Sequence, residues 1–286
     1  MTTIEVWGDA LDYTLSTRHS WRHGNGRHTA IINAGHFTSA VGLSCPVRDI
    51  TQSLIARVSI GFEESGKSDA TINRIISAVS TVLNHCADDG LIPSPPKFRR
   101  RKESEGRVLY YTKDEVNQLI NLSINVLQRD DLADITRFAA YHGLRQGEIL
   151  KLRNKDIDWF SKRITVGGEA DVITKAGNVR VIPIHASCLD MLQQRCSHSS
   201  ANTCIFGDEW RDKDQLLRSF RKANNLLPKP DGYVFHTLRH SYATWLADAG
   251  VPVRSIMYLM GHKRIETTLR YAKATDSALV QAMESI

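Results

Sequence analysis

Several absences narrow the reading of this 286-residue chain before any motif is considered. Its five cysteines (Cys45, Cys86, Cys188, Cys196 and Cys204) are odd in number, scattered and never form a C-x-x-C pair. That pattern indicates free thiols in a reducing compartment, not a disulfide frame or a zinc site. Histidines are more plentiful, yet His19, His23, His28 and His36 show no ligand spacing, and the pair His236 and His240 has Thr237 where a zinc protease would need glutamate. No metal is expected. No apolar run approaches the roughly 20 residues of a membrane span, and the first nine residues, M-T-T-I-E-V-W-G-D, do not resemble a signal peptide. A cytoplasmic protein with no membrane partner is expected. Proline is scarce at 8 residues, but Pro93, Pro95 and Pro96 fall together and mark a break. Internal repeats and low-complexity tracts are missing.

The chain is long enough for two domains with separate cores. Lys plus Arg outnumber Asp plus Glu by 37 to 31, an excess that favours a polyanionic partner. Residues 1–95 read as helical. Their clearest helix covers Ser68 to Cys86, where Ile72, Ile75, Ile76, Val79, Val82, Leu83 and Cys86 recur at three- and four-residue steps as one buried stripe. Asn73, Arg74, Ser77 and Ser80 lie on the opposite, polar face. An earlier helix over 50–60 has Asp49 as its expected N-cap. Residues 96–107 form a linker in which Lys97, Arg99, Arg100, Arg101 and Lys102 are the densest positive charge in the sequence. Phosphate contact there would add affinity without sequence selectivity.

The elements of a second domain follow the linker. A capping box at Thr112 to Glu115 opens a helix, and another starts at Asp131 and runs to Gly143. Residues 163–166, 171–174 and 179–184 switch to the alternating, β-branched pattern of strands, with Lys175 to Asn178 as a turn. The fold class expected is mainly α with a small β-sheet, a helical N-terminal domain preceding an α+β domain.

The most chemically loaded stretch is H-T-L-R-H-S-Y-A-T from His236, followed by M-G-H ending at His262 and T-L-R-Y ending at Tyr271. Helical spacing places His236, Arg239 and His240 on one face. A guanidinium suits phosphate, and a phenol can act as a covalent nucleophile. Together they point to chemistry on a phosphodiester.

These boxes, with Gly143-Leu-Arg-Gln-Gly-Glu148 and Lys175 upstream, resemble in order the signature of the tyrosine recombinases, the phage-integrase family. The resemblance covers roughly residues 108 to 275. It implies a catalytic set of Arg145, Lys175, His236, Arg239, His262 and Tyr271, supported by Glu148 and His240. Tyr271 attacks phosphorus to give a 3′-phosphotyrosine. Arg145, Arg239 and His262 serve the non-bridging oxygens, His236 helps take the phenol proton, and Lys175 protonates the 5′ oxygen. No cofactor, metal or ATP is implied. Residues 1–95 become a domain that grips core DNA sites with Arg74 and the linker cations, and residues 276–286 a tail exchanged between protomers of a homotetramer on double-stranded DNA. Accessory directionality or DNA-bending proteins are expected beside it, and the cytoplasmic reading places the protein, in a bacterium, alongside the nucleoid. Integration or excision of a phage or mobile element is the expected role. A chromosome-dimer resolvase, an integron-type enzyme, a type IB topoisomerase and a silent DNA-binding relative are the alternatives.

Overall fold

The computed structural model describes residues 3–22, 25–103, 108–167, 179–197, 199–210, 213–229, 231–271 and 283–284. The chain divides into two compact units, Met1–Gly106 and Arg107–Ile286. Among the described residues, no helix is long and apolar enough to cross a membrane.

The first unit is helical: α1 (Trp7–Thr17), α2 (His19–Arg22), α3 (Asn25–Val41), α4 (Gln52–Glu64) and α5 (Asp69–Asp88). Thr51 caps α4 by accepting from the Leu54 amide, and the expected cap Asp49 lies in a preceding 3-10 turn. Ser68 caps α5, whose apolar stripe is buried from Ile72 to Cys86 as its spacing predicts. Each such aliphatic side chain contributes about 1.5–3 kcal/mol of transfer free energy. The Trp7 and Phe37 rings meet edge to face at 5.0 Å, and the Trp7 indole donates to Thr38 Oγ1 at 2.8 Å, so α1 and α3 close over α5.

The expected polar face of α5 is corrected at one position. Asn73 is buried at 6% exposure and does not belong to a polar outer face. Its side chain accepts from the Arg101 amide at 2.9 Å and donates to the Arg101 carbonyl at 3.0 Å, holding the strap after the prolines as a neighbouring strand would. Arg101 is then drawn onto Asp69 (3.0 Å), Glu63 (2.8 Å) and the Ser59 carbonyl (3.2 Å). Its charge is neutralised within the unit, whereas Lys97, Arg99, Arg100 and Lys102 stay exposed. Helix α5 ends at Asp88, with Gly90 following at φ +72°, and the chain beyond the prolines stays attached, because Phe98 also packs on this core.

Near the start of the second unit is Tyr111, whose amide donates to Ser241 Oγ at 2.8 Å and whose carbonyl accepts from the Trp245 indole at 2.9 Å. Helix α6 (Lys113–Asn125) opens on the predicted Thr112/Glu115 capping box and packs along α7 (Asp130–His142). After α8 (Gln146–Ile149) come β1 (Ile157–Asp158), β2 (Arg163–Val166) and β3 (Arg180–Pro183), an antiparallel sheet in the order β1-β2-β3. The strand expected over 171–174 and the turn bearing Lys175 lie outside the described residues. Helices α9 (Leu189–Cys196), α10 (Lys213–Asn224), α11 (Thr237–Asp248), α12 (Val253–Met260) and α13 (Glu266–Leu269) complete the unit. A main core includes Leu132, Phe138, Ile164, Phe206 and Leu238, and a smaller cluster of Ala243, Ile256, Met260 and Tyr271 joins α11, α12 and the segment after α13.

Buried His142 ties α7 to the sheet. Its Nδ1 lies 3.1 Å from the Phe138 carbonyl, and its Nε2 accepts from the His185 amide at 3.1 Å. Burial lowers its pKa from 6.5 to about 4. As pH falls, the unfolded chain therefore takes up the proton first. The contribution to stability is complete above about pH 6.5 and is lost progressively toward pH 4. A fall of that size corresponds to about 3 kcal/mol. In chemical denaturation across this window, His142→Gln is expected to show a shallower pH dependence by about one proton. An unchanged slope would mean that His142 titrates normally in the folded protein.

Candidate active site

Two left-handed glycines create the frame of the site. Gly143 ends α7 at φ +62°, and Gly261 ends α12 at φ +63°. A Cβ on Gly143 would lie 2.3 Å from the Tyr242 ring, so this position needs both the backbone freedom and the missing side chain of glycine. The carbonyls left over at the two helix ends are the acceptors around which the guanidiniums assemble.

Arg239, on the inner face of the first turn of α11, is 3% exposed. Its Nη1 donates to the Gly143 carbonyl at 2.6 Å and its Nη2 to the Met260 carbonyl at 2.5 Å. Arg145, the N-cap residue of α8, donates from Nη2 to the Gly261 carbonyl at 3.1 Å. Arg180, the first residue of β3, donates from Nε to the Leu259 carbonyl at 3.2 Å. Three successive carbonyls at the C-terminus of α12 thus accept from three different arginines. The negative end of a helix dipole favours such cations.

Glu148 binds two of these arginines together. It accepts from the Arg145 amide (2.9 Å) and Arg145 Nη1 (3.0 Å), and takes a two-pronged contact from Arg180 at 3.2 and 2.8 Å. Burial alone would raise its pKa, but Arg180 and then Arg145 hold it below the usual carboxylate range. Burial, reinforced by Arg145, pushes Arg239 down to about 9, which leaves it charged at neutral pH.

Tyr271 follows α13, its amide bonded to the Thr268 carbonyl at 3.0 Å. It is 8% exposed and packs with Ala243, Ile256 and Met260. Burial raises its pKa, opposed by Arg270 and Arg239, so the phenol is protonated at neutral pH. Its hydroxyl lies 2.5 Å from His240 Nδ1. Burial, then His236 and Arg270, lowers His240 to about 4, which leaves the imidazole in contact with the phenol neutral. His236, the N-cap of α11, sits edge-on to the His240 ring at 5.0 Å and is itself exposed. His262 Nδ1 is 2.8 Å from Thr268 Oγ1, and burial with Arg239 and Arg145 nearby lowers its pKa to about 4.

The structure therefore gathers Arg145, Glu148, His236, Arg239, His240, His262 and Tyr271 within the second unit, and Lys175 lies outside the described residues. Among the described residues, no group of three or more His, Cys, Asp or Glu is arranged to hold a metal ion. Arg74 is exposed on α5 in the first unit. Arg180 was not singled out from the sequence. The signal was present in the strand alternation, because Arg180 shares the buried parity of Ile182 and Ile184. A charged residue on the buried face of a strand requires a partner.

The sequence model of the phage integrase family matches residues 110–278, more than half of the chain. The chain belongs to the phage integrase family. Among related sequences, tyrosine recombinase XerA of Pyrococcus horikoshii is 29% identical over 231 residues, covering 77% of this integrase-family chain and 75% of the relative. The XerC-like tyrosine recombinase of Caldanaerobacter subterraneus subsp. tengcongensis is 25% identical over 267 residues, covering 78% and 67%. In fold, the chain is similar to the Tn1549 transposon integrase in complex with a circular intermediate DNA, with a TM-score of 0.79 at 19% identity over 99% of this chain and 100% of that one. It is likewise similar to a lambda integrase dimer bound to a COC′ core site, with a TM-score of 0.73 at 21% identity over 95% and 78%.

Proposed function

We propose that this integrase-family chain is a site-specific DNA recombinase that cuts and rejoins strands through a covalent bond to Tyr271. The observation that carries the reading is the convergence of Arg145 and Arg239 with a tyrosine hydroxyl already hydrogen-bonded to a neutral imidazole. In the proposed step, the Tyr271 oxygen bonds to phosphorus, the phenol proton passes to His240, and the bond to the 5′ oxygen breaks. Arg145 and Arg239 stabilise the charge that builds on the non-bridging oxygens, joined by a hydrogen bond from His262. Lys175 supplies the proton to the departing 5′ oxygen. The expected role of His236 as proton acceptor passes to His240 on this reading, since His240 is the imidazole in contact with the phenol.

Because the phosphotyrosine conserves the energy of the broken bond, a 5′-hydroxyl can reverse the attack with neither ATP nor metal. The partner is double-stranded DNA, held also by Arg74 and by the exposed strap cations Lys97, Arg99, Arg100 and Lys102, with a homotetramer and accessory DNA-bending or directionality proteins completing the exchange. Integration or excision of a mobile element is the favoured role. The XerA and XerC-like names of related sequences support chromosome-dimer resolution as the second reading.

The test begins by selecting the duplex that the protein binds best from a random-sequence pool. Nicked near its centre and mixed with protein in EDTA, that duplex is expected to give a covalent protein–DNA adduct with wild type and none with Tyr271→Phe. Adduct persisting in the Phe variant would assign the nucleophile elsewhere. Specific binding with no adduct from either protein would leave a DNA-binding relative without cleavage.

A further inference from the structure

We infer that Arg180 is a positioning residue for strand cleavage, holding the phosphate-facing guanidinium of Arg145 in register with the end of α12. The inference rests on the proposed function above. Arg180 is 4% exposed and forms three hydrogen bonds through one rigid plane, two to Glu148 and one to the Leu259 carbonyl. Each goes to an element that also holds Arg145: Glu148 accepts its amide and its Nη1, and Gly261 accepts its Nη2. The Arg180 plane also lies against Gly261, where an added Cβ would meet Nη1 at 2.7 Å and Cζ at 2.8 Å. Arg180 therefore fixes the distance between the carboxylate and the carbonyl that together aim Arg145.

The geometry requires arginine specifically. A guanidinium presents two parallel N–H groups to one carboxylate and a third, in the same plane, to a carbonyl. A lysine ammonium is a point donor and keeps the charge while losing the plane. Glu148 then still pairs with Arg145, but nothing sets the carboxylate relative to Leu259 and Gly261. A misplacement of about 1 Å in a catalytic group can cost about 100-fold in rate.

The experiment compares wild type, Arg180→Lys and Arg180→Met on the selected nicked duplex. It measures melting temperature, the DNA dissociation constant and single-turnover adduct formation. Arg180→Lys is expected to bind within about threefold of wild type and to cleave about 100-fold more slowly. The decisive readout replaces one non-bridging oxygen of the scissile phosphate by methyl, as separate diastereomers. Removing that charge removes the need for a well-aimed Arg145. The diastereomer that restores cleavage to Arg145→Ala is expected to restore it to Arg180→Lys as well, and the other is not. Wild-type cleavage by folded Arg180→Lys would overturn the inference. So would a loss that neither diastereomer relieves, since it would point to general disruption. If Arg180→Lys melts below the assay temperature, Arg180→Met carries the same comparison at reduced temperature. A wild-type protein that makes no adduct would instead overturn the proposed function.

Discussion

Arg239→Lys is expected to lower single-turnover strand cleavage by on the order of 10³-fold, the upper end of what one transition-state donor supplies. A guanidinium has five N–H groups. Arg239 commits one from each terminal nitrogen to the carbonyls of Gly143 and Met260, which leaves three for a phosphate. These two structural bonds aim the rest, since all five lie in one plane. A lysine ammonium satisfies at most one of the carbonyls and has no plane to aim. The other carbonyl, buried at a helix end, loses its partner at a cost of about 1–3 kcal/mol. Folding and DNA affinity are therefore affected modestly and chemistry severely. Melting temperature, dissociation constant and adduct rate on the selected duplex separate the three. A folded variant that cleaves within tenfold of wild type would remove Arg239 from the catalytic set.

The largest loss of stability is expected from Glu148→Ala. The carboxylate is the common acceptor for Arg180, Arg145 Nη1 and the Arg145 amide. Removing it leaves the Arg180 guanidinium, 4% exposed, without its countercharge. Breaking a buried pair from one side costs about 3–5 kcal/mol, a large share of the roughly 5–15 kcal/mol that holds a domain together. Glu148→Gln keeps one oxygen acceptor and is expected to lose less. The lowered pKa of Glu148 adds a sign to the same measurement. Its stabilisation is present above the usual carboxylate range and is lost as pH falls through it, so the gap between wild type and Glu148→Gln narrows in acid. Urea denaturation of the three proteins at two pH values tests both statements. Equal midpoints for all three would show that Arg180 is satisfied without Glu148.

The spacing of His236, Arg239 and His240 was sufficient to place them together, because a helix converts sequence separation directly into a shared face. The apolar stripe of α5 was legible for the same reason. Asn73 was not: it occupies a nominally polar position on that helix, and only a strap arriving 28 residues later makes it a buried clamp. Arg101 likewise reads as one cation among five until Glu63 and Asp69 are brought beside it. In both cases the deciding partner is distant in sequence, and periodicity carries no information about it. Arg180 lies between these extremes, since its strand parity marked it as inward while its partners stayed hidden. The pairing of Tyr271 with His240 instead of His236 is a matter of a few ångströms, finer than any spacing rule resolves.

Tyr271 sits in an apolar seat against Ala243, Ile256 and Met260 with its hydroxyl engaged. On the proposed reading, burial keeps that phenol protonated and paired with His240 until a phosphate lies against Arg145 and Arg239. Bulk water has little access to the same oxygen, so the nucleophile stays reserved for a phosphate that the arginines have already engaged.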